Sequence, residues 1–262
     1  MTRRRTACAS TLLVTSLVLA ACGGGTDDAS PTSRGSSASS GTIRVYAAAS
    51  LTKVFGALAR DFEQAHPGSK VELSLGGSGD LQAQIASGAP GDVFASADEK
   101  NMAKAVSAGD ASDPTVFATN TLTIATEPGN PQHVTRFADL TKNGLDVVVC
   151  APQVPCGSAT EKVEKAMGVT LHPVSEENAV TDVLGKVTSG QADAGVVYVT
   201  DAKGAGSKVT AVTFPESTSA VNRYPIAVLK DSRHRELAQQ FVDLVVGGTG
   251  QQALRTAGFG AP

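Results

Sequence analysis

Three times in this chain an apolar, strand-like run stops at small residues and gives way at once to a segment with helical periodicity. In "GTIRVYAAASLTKVFGALARDF", Ile43, Val45 and Ala47 alternate as in a strand, whereas Leu51, Val54, Phe55, Leu58 and Phe62 recur at helical spacing. "VELSLGGSGDLQAQIASG" repeats the pattern with Ser78 at the junction. "GLDVVVCAPQVPCGSATEKVEKAMG" repeats it with a strand that ends at Cys150, a helix that begins near Gly157 with Ser158 and Glu161 in capping-box spacing, and Gly168 as its stop. Strands alternating with helices commit the chain to an α/β fold with parallel sheets covered by helices.

The junctions constrain chemistry as well. Ser50 precedes the first periodic residue of its helix, where a hydroxyl can cap N–H groups that lack intrahelical partners. Such helix starts attract anions. A fourth helix, "AVTDVLGKVTSG", has Val180, Val183, Leu184 and Val187 on its apolar face and Asn178 as its expected N-cap. Further elements follow from the same periodicities: a strand "DVFASA", a helix "DEKNMAKAVSAG" with Met102, Ala105 and Val106 on one face, and a strand "TLTIATEP" that opens a second region. "ADAGVVYVTDA" reads as a buried strand whose one bulky polar residue is Tyr198, and "YPIAVLKD" as a last strand before two terminal helices. Two runs of β/α units predict two doubly wound lobes joined by a hinge: residues 42–123 as the first part of lobe I, 124–220 as lobe II, and 221–262 returning to lobe I. Ligands of such sheets sit beyond the carboxyl ends of the strands, so a site between the lobes is expected.

Composition excludes several functions. A net charge of -3 on 262 residues argues against nucleic-acid binding, which needs a basic face. His66, His133, His172 and His234 lie in polar or proline-adjacent contexts, with no H-E-x-x-H and no G-x-S-x-G motif, and ligands at metal-binding spacing are missing. Ser50 and Ser78 as hydrolytic nucleophiles are the remote alternative to a binding protein.

The N-terminus has a basic start, Arg3 to Arg5, and an apolar run too short to span a bilayer comfortably, as in an export signal. "LAAC" at 19–22 resembles the bacterial lipobox, which implies a lipoprotein signal peptide over 1–21 and lipidation of Cys22. Residues 22–41 carry no large apolar side chain and read as a flexible tether. With Cys8 removed and Cys22 lipidated, Cys150 and Cys156 remain in an oxidising compartment. A disulfide between them is expected there, with two buried free thiols as the alternative because a five-residue gap beside a strand end constrains the Cα separation.

The segments "VYAAASLTKVF", "GGSGDLQAQIASGAPGDVFASADEKNM", "VPCGSATEKVEKAMG", "QADAGVVYVTDA", "YPIAVLKDS" and the ending "AGF" together resemble the molybdate-binding component of bacterial ABC importers, within the type II periplasmic binding protein fold. The resemblance covers nearly all of 42–262. It implies a tetrahedral oxyanion, molybdate or tungstate, held by neutral donors: the hydroxyls and amides of Ser50 and Ser78, the N–H groups of Cys156 and Val180, and the hydroxyl of Tyr198. It further implies no cofactor and no metal cation, an ABC permease and its ATPase as partners, a monomer, and an extracytoplasmic, membrane-anchored location. Another oxyanion such as sulfate is the alternative ligand. Gly79 and Asp80 depart from the serine or threonine that other members often carry, and Cys156 replaces a small residue. An acid at 80 opposes anion binding unless it points away.

Overall fold

The computed structural model describes residues 40–262. The expected signal peptide, the lipidation site Cys22 and nearly all of the tether lie outside the described residues. The chain runs β1 (Gly41–Ala48), α1 (Thr52–Ala65), β2 (Ser69–Gly76), α2 (Ser78–Ala86), β3 (Val93–Ala95), α3 (Glu99–Ser107) and β4 (Thr115–Asn120), and then crosses into a second lobe. That lobe holds β5 (Leu122–Thr126), β6 (Val147–Cys150), α4 (Pro155–Met167), β7 (Ser175–Glu177), α5 (Val180–Thr188), β8 (Ala194–Tyr198), α6 (Val199–Ala205) and β9 (Thr210–Val212). The return brings β10 (Asn222–Val228), α7 (Arg235–Val246) and α8 (Gly248–Ala257) back to the first lobe.

Each lobe is built on a five-stranded sheet, in the orders β2-β1-β3-β10-β4 and β7-β6-β8-β5-β9. The sheets are mixed rather than purely parallel. β1 pairs in parallel with β2 and β3, and β6 with β7 and β8, but β10 runs antiparallel to β3 and β4, and β5 antiparallel to β8 and β9. The reason is the crossing itself. A strand that enters a lobe from the other one starts at the cleft, where the parallel strands end, and so must run against them.

Helix α1 shows how the apolar stripe becomes a core. Val54, Phe55, Leu58, Ala59 and Phe62 are buried on one face, and Phe55 and Phe62 meet Phe241 of α7 edge-on at 5.9 and 5.5 Å. Each large side chain so buried stabilises the fold by roughly 1.5–3 kcal/mol. The second lobe packs Val148, Val196, Val197, Phe137 and Phe214 around its own centre. Ala49 of the first lobe joins that second core, so the lobes are shut on each other at this point.

Several local expectations are corrected. Ser50 caps nothing: Ala49–Leu51 form a 3-10 turn ahead of α1, and the Ser50 hydroxyl bonds Tyr224 instead. α4 starts at Pro155, where a residue without an N–H suits the first helical position, so Ser158 is already inside the helix and forms no capping box. The N-cap of α5 is Ala179 rather than Asn178. Val106 is 38% exposed, because α3 turns only Asn101, Met102 and Ala105 inward. Gly168 ends α4 in the left-handed conformation, φ 66°, as glycine permits.

Candidate functional site

The residues singled out as donors come together. Ser50, Ser78, Cys156, Val180 and Tyr198 all line one small cavity between the lobes, with Ala48, Ala49, Gly76, Gly77, Ala97, Val154 and Pro155 completing its wall. It leaves about 10 Å³ to the centre of a water-sized sphere, so one small group fits and a second does not. Among the described residues no charged side chain lines it.

Helix starts supply much of the wall. Ser78 is the first residue of α2, Cys156 the second of α4 and Val180 the first of α5, and N–H groups at these positions have no carbonyl one turn back to bond. Close approach of backbones explains the small residues. A Cβ on Gly157 would stand 2.0 Å from the Ala151 carbonyl oxygen, so the strand-to-helix turn of the second lobe is as tight as the sequence suggests. The turn is braced by a disulfide from Cys150 to Cys156, whose Cα atoms are 5.6 Å apart.

Two of the three hydroxyls share one arrangement. Ser78 Oγ accepts from the Ala97 N–H at 3.0 Å. Tyr198 Oη accepts from Asn222 Nδ2 at 3.0 Å. Ser50 Oγ lies 3.0 Å from Tyr224 Oη, which in turn receives a long contact of 3.4 Å from Asn120 Nδ2. The Ala97 N–H and the Asn222 amide thus take an acceptor position on Ser78 and Tyr198 and leave those two hydroxyl hydrogens for another partner, whereas between Ser50 and Tyr224 either oxygen can donate. Burial, followed by the neighbouring Tyr224, Asp98 and Asp201, pushes the Tyr198 phenol well above its ordinary value. Burial raises Tyr224 as well, so both rings stay protonated donors.

Carboxylates stand behind the wall, not on it. Asp80 is exposed and does not line the cavity. Asp98 is engaged by the Asn101 N–H, the Asn101 amide and Ser96. Asp201 accepts from the Tyr198 N–H at 3.1 Å, and burial pushes its carboxyl up to about 7, against the pull of that bond and of Lys53. A larger groove, about 400 Å³, lies between α3, α4 and the start of β10, but its walls mix Lys100, Lys162, Lys165 and Arg223 with Asp98, Glu99 and Glu161. It holds none of the five expected donors. The four histidines lie off the cavity wall, and among the described residues no group of three or more His, Cys, Asp or Glu could hold a metal ion.

Sequence reasoning missed Asn120, Asn222 and Tyr224. Asn120 and Asn222 are register partners where β4 and β10 meet at the two crossings between lobes. Their signal was faint: Asn222 and Arg223 look like the end of a loop, since the apolar run only begins beyond them.

An arrangement of neutral donors around a small cavity suits an acceptor-only solute and offers no nucleophile–base pair for catalysis. A molybdate-binding protein, ModA, of Mycobacterium tuberculosis (strain ATCC 25618 / H37Rv) is 48% identical over 254 residues, covering 97% of this chain and 96% of that protein. ModA of Escherichia coli (strain K12) is 30% identical over 85% of this chain and 90% of its own length. The periplasmic molybdate-binding protein of Azotobacter vinelandii superposes with a TM-score of 0.74 at 26% identity, covering 84% of this chain and 99% of that one. The family model described as bacterial extracellular solute-binding protein matches residues 43–260, and the chain belongs to that family, a transport component and not an enzyme.

Proposed function

We propose that the cavity captures molybdate, with tungstate as a near-equal ligand, and that Ser50, Ser78, Cys156, Val180 and Tyr198 are its donors. The observation that carries the reading is a cavity lined by helix-start N–H groups and hydroxyls and by no charged side chain, with Ser78 and Tyr198 each already accepting from a protein N–H. A fully deprotonated dianion suits this; hydrogen phosphate, whose proton needs an acceptor, does not. The relatives named as molybdate-binding support the choice among dianions.

Sulfate and molybdate carry the same charge, so size must separate them. Donors fixed to helix starts in two lobes set one radius on closure, and a smaller anion leaves some unpaired at about 1–3 kcal/mol each. Calorimetric titration of the leaderless protein should give molybdate and tungstate within about tenfold of each other and sulfate at least roughly a thousandfold weaker. Comparable sulfate and molybdate affinities would make this a sulfate binder.

We further read the chain as an extracytoplasmic monomer, held at the membrane by lipid on Cys22, that hands its ligand to an ABC permease and its ATPase. A single acyl chain anchors only marginally, so at least two are expected. Cys22→Ser should release the protein from membranes; a variant that stays bound after a salt wash rejects the anchor.

A further inference from the structure

The side-chain amide of Asn222 sits beneath the cavity, where both lobes reach it. Its Nδ2 lies 2.8 Å from the Ala97 carbonyl oxygen of lobe I, 3.0 Å from Tyr198 Oη of lobe II, and 3.4 Å from the Pro155 carbonyl oxygen of lobe II. Two of these partners are carbonyl oxygens, which only accept, so chemistry fixes the NH2 group and not the amide oxygen on this side. An NH2 group has two hydrogens, and the two shorter contacts take them. Tyr198 Oη is therefore an acceptor toward Asn222, and its single hydrogen must go elsewhere. The other oxygen near it, Tyr224 Oη, can take that hydrogen while the cavity is empty, and a bound anion, the stronger acceptor, draws it into the cavity.

We propose that Asn222 is a positioning residue for ligand capture: it sets the Tyr198 hydroxyl as a donor into the cavity, and does so only when the lobes are shut, because its partners come from both. The inference rests on the oxyanion reading of the cavity given above. It makes Asn222 the link between closure and recognition without touching the ligand. Asn222 and Tyr198 are both buried, so water does not compete for either group.

The test is a double-mutant cycle read by molybdate titration, on wild type, Tyr198→Phe, Asn222→Leu and the double variant, with the melting temperature of each unliganded protein as a folding control. Asn222→Leu should weaken molybdate roughly ten- to a hundredfold in the wild-type background and less than about threefold when Tyr198 is already Phe. An equal loss in both backgrounds would mean that Asn222 only braces the lobes, and the inference falls while the oxyanion reading stands. Wild type that binds no molybdate, or Tyr198→Phe that binds as well as wild type, brings down the parent reading and this inference with it. If Asn222→Leu shows no cooperative melting, Asn222→Ser, too short to reach the phenol, replaces it under the same criterion.

Discussion

The β-carbon that Gly77 lacks would stand 2.0 Å from the carbonyl oxygen of Asn178 on the opposite lobe. The Gly77 backbone, φ -64° and ψ 135°, is open to any residue, so an alanine there strains nothing within its own lobe. The obstacle arises only when the cleft shuts. Gly77→Ala should therefore fold and melt like wild type but hold the lobes apart by an ångström or more, enough to break hydrogen bonds that span the cleft. We expect molybdate affinity to fall at least about a hundredfold. Gly79→Ala gives a graded comparison, because its Cβ would meet Gln153 O of the second lobe at a tight 3.2 Å that a shift of a few tenths of an ångström relieves, so its loss should be far smaller. Tight binding by Gly77→Ala would show that capture does not need this closed arrangement.

Tyr224→Phe removes the partner of the Ser50 hydroxyl and leaves the ring packed edge-on against Phe117 and Phe259. Ser50 then loses this partner, whichever of the two donates, but keeps its own hydroxyl. The expected cost is roughly three- to tenfold in molybdate affinity, smaller than that of Tyr198→Phe, whose donor disappears outright. Titration of the two variants side by side checks the order, and a reversed order rejects the relay through Tyr224.

Reduction of the Cys150–Cys156 disulfide frees the turn that carries Cys156 into the cavity. For so short a loop the bridge is worth about 2 kcal/mol of stability. Urea unfolding with and without reductant should show a loss of that size, with a modest weakening of ligand binding. Unchanged affinity in the reduced protein would mean that the turn is held by its packing alone.

Asp201 gives a pH dependence whose sign is fixed by its environment. Burial raises its carboxyl to about 7, so the folded chain holds this proton more tightly than the unfolded chain does. The stabilisation is complete in acid and drains away as pH rises from the ordinary carboxylate range through about 7. At about 1.4 kcal/mol per tenfold, the loss reaches roughly 4 kcal/mol at most. Asp201→Asn keeps an oxygen for the Tyr198 N–H and cannot ionise. Its advantage over wild type in urea unfolding should be near zero at about pH 4 and grow to a few kcal/mol by about pH 8. A gap that does not change with pH would refute the assignment.

Much of the cavity wall was legible because helix starts leave marks in a sequence: a strand period gives way to a helix period at small residues, as at Ser78 and, two residues late, in the helix that carries Cys156, while the apolar face of α5 marked Val180. The layer behind the wall leaves no such mark. Asn120 and Tyr224 meet across 104 positions, and nothing in either neighbourhood announces the other. Direction was equally hidden, since period-two alternation looks the same in β3 and in β10, which pairs with it in the opposite sense. Ser50 was misread for a related reason: a serine ahead of an apolar stripe suits a cap, but the 3-10 turn at Ala49–Leu51 takes the first place and frees the hydroxyl.

The position of β10, inserted between β3 and β4, has a consequence for how the chain is assembled. Without it β4 has no neighbour in the first sheet, so the opening half of the protein cannot complete its own sheet when it emerges. The second sheet needs only strands lying between Leu122 and Val212, and its contacts are nearer in sequence. The lobe that is begun first is thus finished last, by the strand and two helices that close the chain.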